Sequence, residues 1–253
     1  MKDYFSTQAS EYAQFRPEYP EEVIDWMLQF VQNRGLALDV ATGSGQLAHK
    51  LSRSFELVYA TDMSERQIMN AKSVTNVIYQ VEPAEKTGFS DKKFDLVSVA
   101  QAIHWFDFDK FYAEVYRILK PDGIFAVLGY GLFSTNFDSD KILNDYYCDI
   151  VGPYWGFERK YIDQRYRTIP FPFDEIPAPD FTNRLTWSFE QLIGYLETWS
   201  ATVHFKEAKG FDPVDTIRER LKSSWENSNK QVVFPLLLRL GRLKLEKLKN
   251  KSL

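Results

Sequence analysis

The sequence predicts an α/β fold, doubly wound around a mostly parallel, seven-stranded sheet, and three observations predict it. Short, nearly all-apolar segments rich in β-branched residues recur up to about Tyr130, as strands buried on both faces require. Stretches with helical spacing of apolar residues separate them. At 253 residues and 44% apolar content, the chain is long enough to fill a core on each side of such a sheet.

The elements follow in order. "PEEVIDWMLQFV", Pro20 to Val31, puts Val23, Met27, Phe30 and Val31 on one helical face, with Pro20 and two acids at its start. Next come "LALDVA" as a strand, "QLAHKLSRSF" as a helix, "LVYATD" as a strand, "SERQIMNAKSV" as a helix and "NVIYQV" as a strand. "FDLVSVAQ" and "GIFAVLGY" are strands four and five, joined through the helix "FDKFYAEVYRIL". From Gly131 to about Pro179 the alternation gives way to aromatics, arginine and proline, which read as a helical insertion followed by a loop. It then resumes with "RLTWSF" as a strand, "EQLIGYLETWSAT" as a helix, "DTIRERLKSSW" as another and "KQVVFPLLLRLGRL" as a last strand, bulged at Pro235. The tail "KLEKLKNKSL" reads as a solvated end. The expected organisation is therefore a segment and core over 1–130, an insertion over 131–179 and the rest of the same core over 180–253.

Bulk properties narrow the function. A formal net charge of −4, from 31 basic and 35 acidic residues, offers no basic face for nucleic acid or an anionic membrane, so a small-molecule partner is expected. The single cysteine, Cys148, excludes an intramolecular disulfide and a cysteine-rich zinc site. His49, His104 and His204 lack metal-ligand spacing, and no metal is expected. The N-terminus has no apolar run suited to a signal peptide, and no segment reaches the roughly 20 apolar residues of a membrane span, so the expectation is a cytoplasmic monomer or weak homodimer.

Ligands of doubly wound sheets bind at the carboxyl ends of the strands, where the strand order reverses. After the first strand, "LDVATGSGQLA" contains Gly43-x-Gly45-x-x-Ala48, whose spacing serves a dinucleotide as well as S-adenosylmethionine. Asp62, ending the second strand, suits a ribose in either ligand. Asp39 separates them, because a carboxylate beside the glycine turn repels a pyrophosphate and attracts the cationic amino group of S-adenosylmethionine. An NAD(P)-dependent oxidoreductase stands as the alternative, with a non-catalytic cofactor-binding protein as a third reading.

These motifs in this order resemble the class I S-adenosylmethionine-dependent methyltransferases. "LDVATGSGQ" is similar to their first motif, "ATDMSERQI" to the acidic end of strand two, "VEPAEKTGFSDKKFDLV" to the loop into strand four and "RILKPDGIFAVL" to the approach to strand five. Ala41 stands where many members have a glycine. The resemblance implies a Rossmann-like methyltransferase fold with S-adenosyl-L-methionine as cofactor. Asp39 would meet the methionine amino group, Ala41, Gly43 and Gly45 would line the methionine moiety, and Asp62 would take the ribose hydroxyls. Met63 would pack on adenine, with Ala84 and Glu85 at its edge, and Gln101 would offer its backbone carbonyl to the amino group.

In "AQAIHWFDF", His104 and Trp105 would face the acceptor, with His104 either a general base or a cap on the following helix. "STQASEYAQFRPEYP" resembles an N-terminal element that closes over the cofactor in small-molecule members, with Tyr12 and Phe15 shielding the sulfonium and Arg16 reaching the cofactor carboxylate; a helix that only docks on the sheet is the other reading. The insertion, with Tyr154, Trp155 and Arg159, has the makings of an apolar pocket with a cationic anchor, or of an ordinary lid core. "FRPEYP", "AQAIHWF" and "LTWSFEQLIGYLETWSA" together resemble the branch of trans-aconitate methyltransferases, which implies a carboxylate or another small-molecule oxygen as acceptor.

Overall fold

Strands that are apolar on both faces must be covered on both, and the computed structural model, which describes residues 14–244, shows how. The chain runs α1 (Glu21–Leu28), β1 (Leu36–Val40), α2 (Gln46–Leu51), β2 (Leu57–Asp62), α3 (Glu65–Met69), β3 (Val77–Val81), β4 (Phe94–Ala100), α4 (Phe108–Ile118) and β5 (Leu119–Tyr130). It continues through α5 (Phe137–Asp145), a π-helical turn (Tyr146–Ile150), a 3₁₀ turn (Gly152–Tyr154), α6 (Arg159–Asp163), β6 (Asp174–Ile176) and β7 (Thr182–Thr186). Helices α7 (Phe189–Glu197), α8 (Ser200–Lys209) and α9 (Arg218–Glu226) precede β8 (Gln231–Arg242).

The sheet order is β3-β2-β1-β4-β5-β8-β6, with β7 also pairing β8. Strands β1 to β5 are parallel, and β8 lies antiparallel to β5, β6 and β7. β6 pairs with Leu240–Arg242 and β7 with Gln231–Pro235, so these two short strands share one outer position. Eight strands thus fill the seven expected positions. Alternation along the strands splits the core. Ala37, Leu96, Ile124 and Ala126 face one side with α1, α2, α7 and α9, while Leu38, Val40, Val97 and Phe125 face the other with α4 and the segment around Tyr166 to Phe173. Among the described residues, no helix is long and apolar enough to cross a membrane.

Three expectations are corrected. The "loop" before Pro179 contains β6, which edges onto β8. The single helix expected over 190–202 is two, broken at Thr198 and Trp199, where the Thr198 hydroxyl turns back to the Tyr195 carbonyl. Residues 187–189 of the predicted strand leave the sheet, because the Ser188 side chain forms a reciprocal cap with Gln191 and starts α7. Pro235 lies inside β8 without disrupting the β5 ladder, whose last pair is Tyr130 with Leu236; its carbonyl accepts from the Gly131 amide. The tail beyond residue 244 lies outside the described residues.

One buried charge ties the strand entrances together. Asp95, at the start of β4 and only 3% exposed, accepts from the Leu36 amide at 2.9 Å and from Lys120 Nζ at 2.7 Å. Asp95→Ala is expected to lower the unfolding free energy by about 2 kcal/mol in urea titration, because it strands a backbone donor and a half-buried ammonium. Asp122→Ala, near the same end but reaching only Asn33 on the surface, should change it by less than about 0.5 kcal/mol.

Candidate functional site

The strand order reverses between β1 and β4, and the loops leaving these two strands open a crevice there. The β1–α2 loop is shaped by backbone that turns left-handed three times, at Ala41 (φ 51°), Gly43 (φ 57°) and Gly45 (φ 82°). Gly45 has a second reason to be glycine, since a Cβ there would fall 2.9–3.0 Å from the Tyr79 ring. The loop is sewn to β2. The Thr42 amide donates to the Thr61 carbonyl, and the Gly43 amide donates to Asp62 Oδ2 at 2.9 Å, while Asp62 Oδ1 accepts from the Ser64 amide.

Asp39 lies beneath this loop with no exposure. Its Oδ2 accepts from the Thr42 hydroxyl at 2.6 Å and its Oδ1 from the Ser98 hydroxyl on β4 at 2.9 Å. Burial pushes its pKa up from 3.8 to about 6, against the pull of those two hydroxyls, with the nearby Asp62 charge adding to the rise.

At the end of β4, Gln101 has φ 55°, and its side-chain amide reaches across to β5: Oε1 accepts from the Tyr130 amide and Nε2 donates to the Tyr130 carbonyl. Arg16 arrives from the N-terminal side, donating to the Thr198 carbonyl at 2.9 Å and the Tyr130 hydroxyl at 3.3 Å, with its guanidinium over the Tyr195 ring. Phe15 beside it packs so closely on α7 that a Cβ on Gly194 would lie 2.6 Å from its ring. A first cavity is lined by Arg16, Pro17, Tyr19, the loop residues Ala41, Thr42, Gly43, Ser44, Gln46 and Leu47, and Ala100, Gln101 and Tyr130.

A second cavity shares Arg16 and Gln101 with the first and continues to His104, Trp105, Trp155, Gly156, Arg159, Ile162, Trp199 and Ser200. His104 sits in a 3₁₀ turn (Ile103–Trp105), 5% exposed, with Nδ1 at 3.2 Å from the Tyr166 hydroxyl. Desolvation, and then the charges of Arg159 and Arg16, push its pKa down to about 3, so the ring is neutral throughout the physiological range. The cap of α4 is Asp107, whose side chain accepts from the Lys110 amide, which leaves no capping role for His104. Arg159 donates from Nε to the Tyr147 hydroxyl and Asp163, and stacks its guanidinium 4.5 Å from the Trp155 ring. Among the described residues, no hydrogen bond reaches its two terminal nitrogens, which puts a cationic fork in the cavity wall.

The structure therefore brings Arg16, Ala41, Gly43, Gln101, His104, Trp105, Trp155 and Arg159 to the lining of two joined cavities. Asp39, Gly45 and Asp62 support the loop from below and behind. Met63 lies just past β2, 42% exposed, and Ala84 is buried; Glu85 Oε1 accepts from the Asp107 amide at 3.3 Å. Tyr154 does not line either cavity: its ring packs on Phe205, and its carbonyl contacts His204. Tyr12 lies outside the described residues. Reading the sequence did not single out Tyr19, Tyr130 or Trp199, and it counted Tyr166 only among the aromatics of the insertion. Tyr130 alone had a local signal, its place at the end of a strand.

Residues 38–127 match the family model described as "Methyltransferase domain". A Dictyostelium discoideum protein named as a methyltransferase is 33% identical over 233 residues, covering 90% of this chain and 88% of that one. The solved structure of an Anaeromyxobacter dehalogenans protein, titled a type II methyltransferase, superposes with a TM-score of 0.82 at 37% identity over 90% of this chain and 98% of that one. An N-methyltransferase of Haemonchus contortus, solved with phosphomonomethylethanolamine and S-adenosylhomocysteine, shares the fold alone, with a TM-score of 0.50 and 19% identity over 95% of this chain and 59% of that one.

Two substitutions test the loop. Because Asp39 has a raised pKa in the folded state, its contribution to stability is full below the unfolded value of 3.8 and is lost as pH rises through about 6. Asp39→Asn keeps partners for both hydroxyls and should be more stable than the wild type by about 2 kcal/mol at pH 8, an advantage that shrinks toward zero near pH 4 in parallel denaturant titrations. Ala41→Gly removes a left-handed alanine and should raise stability by about 0.5 kcal/mol, the relief of strain exceeding the added chain entropy.

Proposed function

Because this chain belongs to the methyltransferase family, shown by its similarity to the Dictyostelium protein along nearly its whole length, we propose that it transfers a methyl group from S-adenosyl-L-methionine to a small-molecule acceptor with an anionic oxygen, a carboxylate above all. The observation that carries the proposal is the pair of joined cavities at the strand ends, one walled by the β1–α2 loop, whose backing holds Asp39 and Asp62, and the other by Arg159 and aromatic rings, the two sharing Arg16 and Gln101. S-adenosylmethionine, when bound, supplies an electrophilic methyl on a sulfonium.

The donor set fits that group. Asp62 is a carboxylate at the end of β2 that accepts from the Gly43 and Ser64 amides, and a carboxylate is the kind of acceptor a ribose diol requires. Asp39 acts through the loop: both of its oxygens are engaged, so it holds Thr42 and the turn in shape and contributes negative potential to a cationic amino acid. The crevice wall formed by Gly43 is bare, which lets a ligand approach the backbone. Gln101, turned left-handed and clamped to β5, presents its backbone carbonyl toward the amino group, while Met63, Ala84 and Glu85 form the adenine side. Phe15 and Arg16 close the N-terminal element over the crevice.

In the acceptor half, Arg159 and Arg16 draw in and orient an anion, and Trp105 and Trp155 exclude water around it. An anionic oxygen needs no base to react with a sulfonium methyl, and alignment alone supplies effective molarities of ~10⁵–10⁸ M. The neutral His104 then serves as a hydrogen-bonding group of the acceptor wall, and the insertion over 131–179 serves as the lid that carries Trp155 and Arg159.

Calorimetry with S-adenosylhomocysteine should show micromolar binding, and Asp62→Ala should weaken it at least 100-fold while leaving the circular dichroism spectrum intact. Radiolabelled methyl from S-adenosylmethionine should pass to members of a panel of small carboxylic acids, giving base-labile esters, and Arg159→Gln should cut that transfer at least tenfold. Label appearing only on amines or on nucleic acid would reject the carboxylate.

A further inference from the structure

Tyr166 has no role in the site as the sequence presents it, yet much of the local structure serves to place its hydroxyl. The residue is fully buried, and it follows α6 in a turn where Arg165 (φ 55°) and Tyr166 (φ 58°) are both left-handed without being glycine. Consecutive strained residues persist only where their surroundings hold them, and a functional role is one reason for them to be kept. The surroundings here are specific. The Tyr166 amide donates to the Tyr161 carbonyl, and Arg239 of β8 donates from Nη1 to the carbonyls of Tyr166 and Ile169. Arg239 is itself held by both oxygens of Glu175. Gly129 in β5 clears the way for the ring, since a Cβ there would lie 2.7 Å from Cε2 and 3.0 Å from the hydroxyl oxygen.

That hydroxyl ends 3.2 Å from Nδ1 of His104, with the two rings stacked at 5.9 Å. A neutral imidazole carries its proton on one nitrogen, and the partner of the other decides which. Between a phenol and an imidazole, the phenol is the stronger acid and the imidazole nitrogen the stronger base, so O–H to N is the favoured direction. The cavity that His104 lines also contains Arg16 and Arg159, groups that donate and do not accept.

We propose that Tyr166 is the positioning residue of the acceptor site: its hydroxyl donates to Nδ1 of His104, fixes the tautomer protonated at Nε2, and so makes His104 a hydrogen-bond donor to an anionic acceptor. This rests on the methyl-transfer reading for its purpose but not for its chemistry. It excludes His104 as the base that deprotonates the acceptor, because the nitrogen with the free lone pair is the one that Tyr166 occupies.

The chain has only three histidines, so nitrogen NMR of protein labelled at histidine, bound to S-adenosylhomocysteine, resolves each ring, and loss of one set in His104→Gln assigns it. The expected wild-type spectrum has His104 protonated at Nε2 and unprotonated at Nδ1, unchanged from pH 5 to pH 8. In Tyr166→Phe, which keeps the ring against Gly129, the two nitrogens should move toward a mixture of tautomers, while affinity for S-adenosylhomocysteine stays within twofold and the fold is intact by circular dichroism. A wild-type ring protonated at Nδ1, or a Tyr166→Phe spectrum identical to wild type, overturns the proposal. Absence of S-adenosylhomocysteine binding would instead reject the cofactor reading, and the tautomer of the ligand-free protein would still decide the role of Tyr166.

Discussion

A carboxylate without exposure at the end of the central strand is the constraint on which the crevice side of this molecule depends. Asp39 loses its water and regains hydroxyl donors from Thr42 in the loop above it and Ser98 on the adjacent strand, with a backbone hydrogen bond from Ala48. Each hydroxyl fixes something. Thr42 draws the β1–α2 loop down over the carboxylate, which forces the chain through three left-handed turns before α2 can begin. Ser98 locks β4 to β1 at the point where the strand order reverses, so the crevice and the loop that lines it are held by one side chain. The partial ionisation cost of Asp39 is balanced by this order, and the loop is a rigid wall as a result.

The two joined cavities have arginine in their walls, and Arg16 is common to both. Arg159 lines the second alone, while the carboxylates Asp39 and Asp62 back the loop that walls the first without lining it. Arg16 marks the boundary. Its contacts with Tyr130, Thr198 and Tyr195 take it across the crevice, so the N-terminal segment is tied to α7 and to β5 at once.

The legibility of the site in the sequence follows from locality. The loop after β1, Asp62 and Gln101 were readable because strand ends carry ligands in this architecture and glycine spacing is written within a few residues. The second cavity was readable only in part, because residues 16, 101–105, 155–162 and 199–200 meet there through the insertion, and adjacent positions diverge: Trp155 lines the cavity, while Tyr154 packs on Phe205. The fold shows the same division. β1 to β5 announce themselves by apolar runs, whereas β6, with Asp174 and Glu175 in three residues, has no period to detect and exists only because β8 offers it an edge. Tyr166 stood in the sequence as one aromatic of the insertion among many, because its placement comes from a left-handed backbone and nothing in "DQRYRT" forces that conformation.

The divided outer position of the sheet has a consequence for the behaviour of the protein in solution. An unbroken edge strand offers a row of unpaired amides and carbonyls that a strand from another molecule can extend into a growing aggregate. Here β6 and β7 are three and five residues long, and Pro177 and Pro179 stand between them without amide donors. The long, leucine-rich β8 is covered by this broken pair rather than by one continuous strand, so a neighbouring chain meets two short steps and a gap in place of a template. The interruption that hid β6 in the sequence thus protects this leucine-rich strand from intermolecular pairing on that side.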